Sequence, residues 1–184
     1  MSDISRPLKF EPFDPDKHDR TAFSCGVDQV DNYFRKTANK LQKAGNVRVS
    51  VLLDADEQLL GFYAVNAHSV DYAELPKKYA RTRPSHGSIP AAFISMIGVD
   101  QRFQGRGLGG VLLVEALKNL ARASEALGIA VVLMDVLNCG DEETTNRRLA
   151  LYLGYGFSQL ENAALRVFMP IQDARALLEQ RTKP

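Results

Sequence analysis

The segment "AAFISMIGVD" followed by "QRFQGRGLGGVLL" constrains the fold of this chain more than any other stretch. Residues 91–99 are almost continuously apolar, which is typical of a strand buried on both faces. A glycine-rich loop follows, and from Leu108 onward apolar residues recur at helical spacing. Because a strand buried on both faces needs covering layers, the segment predicts an α/β fold with helices packed on a sheet.

Hydrophobic periodicity predicts the remaining elements. The predicted order begins with a helix at 27–44, a hairpin of strands at 47–54 and 58–67, and a short helix and loop at 71–90. The strand at 91–99 follows, then a helix from Leu108 to about Gly128, a strand at 129–136 and a helix at 142–153. The chain finishes with a strand, a turn at 161–162, the strand "LRVFMP" and a C-terminal helix. This order predicts a single domain over residues 1–184, with a core at about 8–170 and a C-terminal helix or tail at 171–184. Its sheet is mixed, mostly antiparallel and flanked by helices.

Composition excludes several classes of function. The formal net charge is +1, so no global field steers the chain toward nucleic acid or membrane. The two cysteines, Cys25 and Cys139, are far apart with no histidine at ligand spacing, which predicts neither a metal site nor a disulfide framework. No segment has the pattern of a signal peptide or a membrane span, so a cytoplasmic protein is expected.

The glycine-rich loop at residues 104–110 is suited to an anion. Glycines that run into a helix expose backbone N–H groups at the positive end of the helix dipole. A P-loop is excluded because no Lys-Ser/Thr pair follows the glycines. A dinucleotide fingerprint is met formally by Gly105, Gly107 and Gly110, with Asp135 ending the next strand, but residues 100–104 separate the first glycine from the strand. A plain strand-to-helix turn would need fewer glycines.

The same residues resemble the coenzyme A loop of the GCN5-related N-acetyltransferase (GNAT) superfamily. That loop has the pattern Arg/Gln-x-x-Gly-x-Gly/Ala, matched here by Gln104, Gly107 and Gly109. "LYLGYGF" at residues 151–157 resembles the superfamily's Tyr-x-x-x-Gly-Phe segment, and the order of predicted elements agrees over most of the chain. The resemblance implies the GNAT (acyl-CoA N-acyltransferase) fold and acetyl transfer from acetyl-CoA to an amine, with no metal.

The resemblance also assigns the site residues. Tyr152 takes the position of the general acid that protonates the departing thiolate, with Tyr155 as a lower-ranked neighbour. Arg148 stands where the superfamily often has alanine. No general base is identified, since His18, His68 and His86 lie outside these motifs. The cofactor-binding residues are the end of the buried strand and the loop after it: Ile97, Gly98, Val99, Gln104, Gly105, Arg106, Gly107, Leu108 and Gly109.

The front of the chain resembles the acetyltransferase toxins of bacterial toxin–antitoxin modules, through "FSCGVDQVDNYFRKTA" and "LLGFYAV". That resemblance implies the α-amine of aminoacyl-tRNA as acceptor and a small ribbon-helix-helix antitoxin as partner. Basic clusters at 35–48 and 77–83 would supply phosphate contacts. Acetylation of a small amine or a protein N-terminus, and a CoA- or dinucleotide-binding module without transferase activity, are the alternatives. Whether the chain forms a homodimer is left open.

Overall fold

The computed structural model of the chain describes residues 7–181. The predictions for the first residues of the N-terminus and for the tail at 182–184 lie outside that range. The strands are β1 (Lys9–Pro12), β2 (Arg48–Leu53), β3 (Leu59–Asp71), β4 (Ser88–Val99), β5 (Val131–Asp135), β6 (Ser158–Leu160) and β7 (Ala163–Pro170). The α-helices are α1 (Asp28–Asn32), α2 (Ala38–Lys43), α3 (Leu108–Ala126), α4 (Glu142–Gly154) and α5 (Ile171–Arg181). In the described range, no helix combines the length and the hydropathy that crossing a bilayer requires.

The strands form one mixed sheet in the order β1-β2-β3-β4-β5-β7-β6, which confirms the predicted fold class. β1, β2 and β3 pair antiparallel, so the predicted hairpin is also confirmed. β4 and β5 pair parallel from Ala91↔Val131 to Ile94↔Met134, and β7 then pairs antiparallel with both β5 and β6. α3 is the crossover helix that a parallel pair needs.

The structure differs from the predicted elements in several details. The short helix expected within 71–90 is instead two 3₁₀ turns, Tyr72–Glu74 and Lys77–Arg81, which are separated by Pro76. The strands on either side are longer than predicted and extend into that segment. β1 was not predicted, because four residues that end in proline carry too short a pattern to be recognised as a strand.

The helix predicted over residues 27–44 is broken by a π-helical turn, Tyr33–Thr37, between α1 and α2. Val30, Phe34 and Ala38 are all buried, and they are spaced by four residues. In a regular α-helix with 3.6 residues per turn, residues at this spacing drift around the axis. The wider i→i+5 turn reduces that drift, so the three side chains stay on the face that packs against the sheet.

The described residues group into two compact units. Within the described range, the first unit comprises residues 7–66 and 95–116, and the second comprises 67–94 and 117–181. The prediction of a single domain over 1–184 stays a prediction.

Aromatic rings dominate the core of the first unit. Phe34 stacks on Phe62 with ring centroids 4.0 Å apart, and Phe23 meets both rings edge-on. A Cβ added to Gly98 would lie 3.0 Å from Val30 Cγ1 and 3.1 Å from Phe62 Cε1. Glycine at this position of β4 therefore allows α1 and the aromatic cluster to pack closely on the end of the strand.

The second unit has an aliphatic core around β5, whose residues Val131, Val132 and Leu133 have no exposed surface. This confirms the strand predicted at 129–136. The strand at 91–99, predicted to be buried on both faces, is only partly buried, since its last residues include several of intermediate exposure. Around it lies a cluster of buried side chains, which we call the unit-two core: Val70, Leu75, Ile89, Ala91, Val131, Leu133, Leu160 and Phe168.

Gly61 in β3 has no room for a side chain. A Cβ there would be 2.7 Å from the carbonyl oxygen of Gly98 and 2.9 Å from Leu112 Cδ1. We expect Gly61→Ala to lower the free energy of unfolding by about 1–3 kcal/mol, the usual cost of overpacking. Gly128→Ala is the matched control, because no atom lies within 4 Å of its added Cβ. Thermal unfolding of both variants measures the difference, and equal stability would contradict the close approach.

Candidate active site

The glycine-rich loop joins the end of β4 to the start of α3. Ile97, Gly98 and Val99 are the last residues of β4, and a 3₁₀ turn, Gln101–Phe103, leads into the loop. α3 begins at Leu108, so Gly109 lies in its first turn. All the predicted cofactor-binding residues therefore belong to one strand–loop–helix segment of the first unit.

Gly105 and Gly107 adopt left-handed backbone conformations, with φ of 77° and 76°. An added Cβ would meet no atom within 4 Å at either glycine or at Gly109. Glycine is therefore required at 105 and 107 by backbone conformation and not by packing against the protein. The space over the three glycines is open, and the first N–H groups of α3 have no acceptor within the helix. A phosphate fits such a cradle.

Gln104 fastens the loop to its surroundings. Its side-chain amide donates one hydrogen bond to the carbonyl of Val99 at 3.0 Å and another to the carbonyl of Cys25 at 2.9 Å. The first ties the loop to the end of β4, and the second ties it to the segment before α1. Gln104 thus holds the shape of the loop through its side chain, a role that its place in the motif did not reveal.

Asp100 fixes the turn before the loop. Its carboxylate is buried and accepts two hydrogen bonds from the Arg102 guanidinium, both at 2.9 Å, and one from the Arg102 backbone N–H at 3.0 Å. Burial alone would raise the pKa of Asp100, but the hydrogen bonds from Arg102 outweigh it and the pKa lies below its usual value. The carboxylate is therefore ionised at neutral pH and holds the turn rigid.

A second buried carboxylate supports the segment beneath the loop. Asp31 accepts hydrogen bonds from Ser24 Oγ at 2.8 Å and from the Cys25 N–H at 2.7 Å. Ser24 in turn accepts the N–H of Gln101 through its carbonyl at 2.8 Å. Sequence reasoning did not single out Asp31, although it lies inside the "FSCGVDQVDNYF" motif as an acid on an otherwise apolar helix face.

The end of β4 offers backbone groups to an extended ligand. The parallel ladder with β5 ends at Ile94↔Met134, whereas β4 continues to Val99. Beyond the ladder β5 no longer pairs with this edge of β4, so backbone groups there can bind a ligand as a further strand would, except the Val99 carbonyl, which accepts from Gln104. The cradle and this edge together fit a ligand with a phosphate at one end and an extended amide-bearing arm at the other.

Tyr152 lies on α4 in the second unit, with 6% of its surface exposed. Its ring packs against Phe157, with centroids 6.4 Å apart, and its carbonyl accepts the Phe157 N–H at the end of the helix. Burial raises the pKa of Tyr152 above its ordinary value, and the charge of Arg148 acts in the opposite direction. The hydroxyl is therefore protonated at neutral pH and able to donate.

Arg148 lies four residues before Tyr152 on the same helix. Its guanidinium donates to the carbonyl of Leu137 at 3.3 Å and to Cys139 Sγ at 2.7 Å. In this chain, Arg148 thus ties the loop between β5 and α4 back to the helix that carries Tyr152. Its presence in place of alanine has a structural role.

The other candidates from the sequence lie away from these contacts. His18 is buried and bonds Glu11 through Nε2 at 2.6 Å, and His86 accepts the Ser88 N–H at 3.2 Å. His68 is exposed on β3 and stacks on Phe93. Among the described residues, no group of three His, Cys, Asp or Glu side chains is placed to hold a metal ion.

Comparison with known proteins shows the family to which the chain belongs. A probable toxin TacT of Sinorhizobium fredii (strain NBRC 101917 / NGR234) is 58% identical over 169 residues, 91% of this chain and 93% of the relative. A tRNA-acetylating toxin of Mycobacterium tuberculosis (strain ATCC 25618 / H37Rv) is 32% identical over 178 residues, 97% of this chain and 99% of the relative. No protein-family model matches the chain.

Among solved structures, a variant of the toxin AtaT bound to the C-terminus of the antitoxin AtaR and to acetyl-CoA superposes with a TM-score of 0.75. It is 20% identical and covers 95% of this chain and 99% of that chain. The sheet order and this superposition show the GNAT fold. The similarity to the tRNA-acetylating toxin shows an acetyltransferase. Since two relatives match it over nearly their whole length, the chain belongs to the family of acetyltransferase toxins of toxin–antitoxin modules.

Proposed function

We propose that the chain transfers the acetyl group of acetyl-CoA to the α-amine of aminoacyl-tRNA and acts as the toxin of a toxin–antitoxin module. The observation that carries this proposal is the similarity to a tRNA-acetylating toxin over nearly the whole of both chains. An antitoxin is the expected partner, since a structural neighbour is bound to one. A cytoplasmic location follows from the same role, because charged tRNA is found there.

Acetyl-CoA is the acetyl donor, and the first unit supplies its binding site. The pyrophosphate would bind the N–H groups from Gly105 to Gly109, over the open cradle. The amide-bearing arm would lie along β4 between Ile97 and Val99 and hydrogen-bond to its backbone. The backbone N–H groups of that strand would also stabilise negative charge that develops on the thioester oxygen.

The remaining chemistry concerns two protons. The amine attacks the thioester carbon directly, so a C–N bond forms, the C–S bond breaks and no covalent enzyme intermediate is needed. Tyr152 would give its hydroxyl proton to the departing thiolate and recover one from solvent. The attacking amine loses its own proton to water or to a base.

Two exposed basic clusters would bind the phosphates of the acceptor. In the first unit, Lys36, Lys40 and Lys43 are exposed. In the second unit, the exposed cations are Lys77, Lys78, Arg81 and Arg83, in a stretch of sequence with no acid between Glu74 and Asp100. The net charge of the chain is small, so these local clusters and not the overall charge would attract tRNA.

Salt dependence tests this proposal. Phosphate binding releases counterions, so kcat/KM for aminoacyl-tRNA should fall steeply as salt rises, whereas acetylation of an amino-acid methyl ester should change little. Charge reversal at Lys36 and Lys40 should lower kcat/KM for aminoacyl-tRNA at least tenfold and flatten its salt dependence, because it removes about two phosphate contacts. Binding of acetyl-CoA should stay unchanged. Steady-state kinetics at several salt concentrations measures each effect.

The matched control is charge reversal at Lys118 and Arg122, which have the same spacing on α3. It should leave the reaction with aminoacyl-tRNA near the wild-type rate. Rapid acetylation of the methyl ester without acetylation of any aminoacyl-tRNA would refute the proposal and favour a small amine or a protein N-terminus as acceptor.

A further inference from the structure

The surface of the second unit carries a repeated arrangement of rings and cations. Phe93, Tyr72 and Tyr79 are half-buried rings that pack against the same unit-two core. A cation lies over each ring: Arg166 over Phe93 at 5.7 Å, Arg83 over Tyr72 at 4.6 Å and Lys78 over Tyr79 at 5.3 Å. Each cation gains a favourable electrostatic contact with the face of its ring.

Phe93 differs from the other two rings because it has a second planar neighbour. The imidazole of His68 stacks on Phe93 with ring centroids 5.2 Å apart and an interplanar angle of 29°. His68 is exposed on β3, whereas Phe93 is half-buried on β4. Phe93 is therefore the inner ring of the stack, in contact with the core, and the imidazole of His68 is the outer ring, exposed to solvent.

Arg166 is rigidly held beside this stack. Its guanidinium donates to both carboxylate oxygens of Asp135, with Nε–Oδ1 at 2.6 Å and Nη2–Oδ2 at 2.8 Å. Glu74 lies near enough to act on Arg166 as well. Because these acids neutralise its charge, Arg166 is poorly suited to a phosphate. Its planar guanidinium instead packs over the ring of Phe93 and orients it.

Resting on the proposed function, we infer that His68 and Phe93 form a stacking platform for an unpaired nucleobase at the single-stranded 3′ end of the acceptor tRNA. Unpaired bases are commonly bound by stacking on aromatic side chains, while cations nearby hold the backbone. Here the stack supplies the ring faces, and Lys77, Lys78, Arg81 and Arg83 supply the charge. The acids Asp135 and Glu74 lie beside the stack and would repel phosphates there. The phosphates would therefore bind the basic cluster at 77–83, and the base would stack on His68.

The test uses His68→Ala, which truncates an exposed side chain and should leave the fold intact. Loss of one base stack should raise KM for aminoacyl-tRNA about tenfold with little change in kcat. Acetylation of the amino-acid methyl ester should not change, because that acceptor has no base. His68→Phe should restore the KM, since stacking needs a ring and not an imidazole. His86→Ala, at an exposed histidine in the same unit, is the control.

Binding gives a readout that does not depend on acetyl transfer. An RNA hairpin with an unpaired CCA 3′ end should bind the wild type more tightly than the same hairpin with abasic residues there, measured by fluorescence anisotropy. His68→Ala should remove that difference at every salt concentration, since stacking is not electrostatic. Equal affinities for the two hairpins in the wild type, or failure of His68→Phe to restore what His68→Ala loses, would overturn the platform. A wild type that acetylates no aminoacyl-tRNA would overturn the proposed function, and the hairpins would still decide the platform.

Discussion

Tyr152→Phe is expected to lower the turnover of acetyl transfer on the order of 100-fold, the usual effect of removing a positioned proton donor. The ring packs on Phe157 and has only 6% of its surface exposed, so phenylalanine preserves the packing and removes only the hydroxyl. Burial raises the pKa of Tyr152, so the hydroxyl is protonated throughout the physiological pH range. Affinity for acetyl-CoA should barely change, because the hydroxyl acts on the leaving thiolate.

Single-turnover kinetics measures the loss of turnover, and growth of a bacterium that expresses each variant gives a second readout. The wild type should arrest growth and accumulate acetylated aminoacyl-tRNA, detected by mass spectrometry, and Tyr152→Phe should do neither. Tyr155→Phe is the control and should behave as the wild type. If Tyr155→Phe loses activity while Tyr152→Phe keeps it, the general acid has been assigned to the wrong tyrosine.

Gly107→Val is expected to abolish binding of acetyl-CoA. Gly107 has a φ of 76°, which a β-branched residue tolerates poorly, so the loop must change its backbone conformation. The space over the loop is open, so the added side chain would meet no other residue, and the strain comes from the backbone alone. Gly109→Val should have the same result for a different reason, since its side chain would occupy the first turn of α3, where we propose that a phosphate binds.

Isothermal calorimetry measures the affinity, and circular dichroism shows whether the fold is retained. Gly45→Val is the matched control, because Gly45 has a φ of 77° and equally open surroundings but lies in the turn after α2. It imposes the same backbone strain away from the loop and should bind acetyl-CoA as the wild type does. Unchanged affinity in both Gly107→Val and Gly109→Val would remove the loop from the binding site.

Local sequence patterns were sufficient to predict the structure wherever a residue's conformation depends on its neighbours in sequence. The continuous apolar run ending at Val99 predicted the buried strand, and the glycines after it predicted a loop that opens a helix. Both predictions depend on rules that act within one or two turns of chain: periodicity of burial and the freedom of glycine at positive φ. The same rules failed for β1, whose four residues are too few to show a period.

The positions of Gln104 and His68 depend instead on partners far away in the chain. Gln104 donates to Cys25, 79 residues earlier, and Arg166 pairs with Asp135 across 31 residues. No local pattern encodes such pairs, because each partner is chosen by which strands lie side by side. The π-helical turn at 33–37 is a similar case, since it is packing against the sheet that makes four-residue spacing favourable.

The sequence by itself determined the order of most elements and the glycine loop that opens a helix, because these follow from local periodicity and backbone freedom. The candidate acid followed only from the resemblance of residues 151–157 to a family motif. Only the tertiary structure decided how the loop is held by Gln104 and Asp100. It also decided that Gly61 must stay small and that His68 stacks on Phe93. Each of these contacts joins residues that the strand order brings together, and strand order results from the packing of the whole chain.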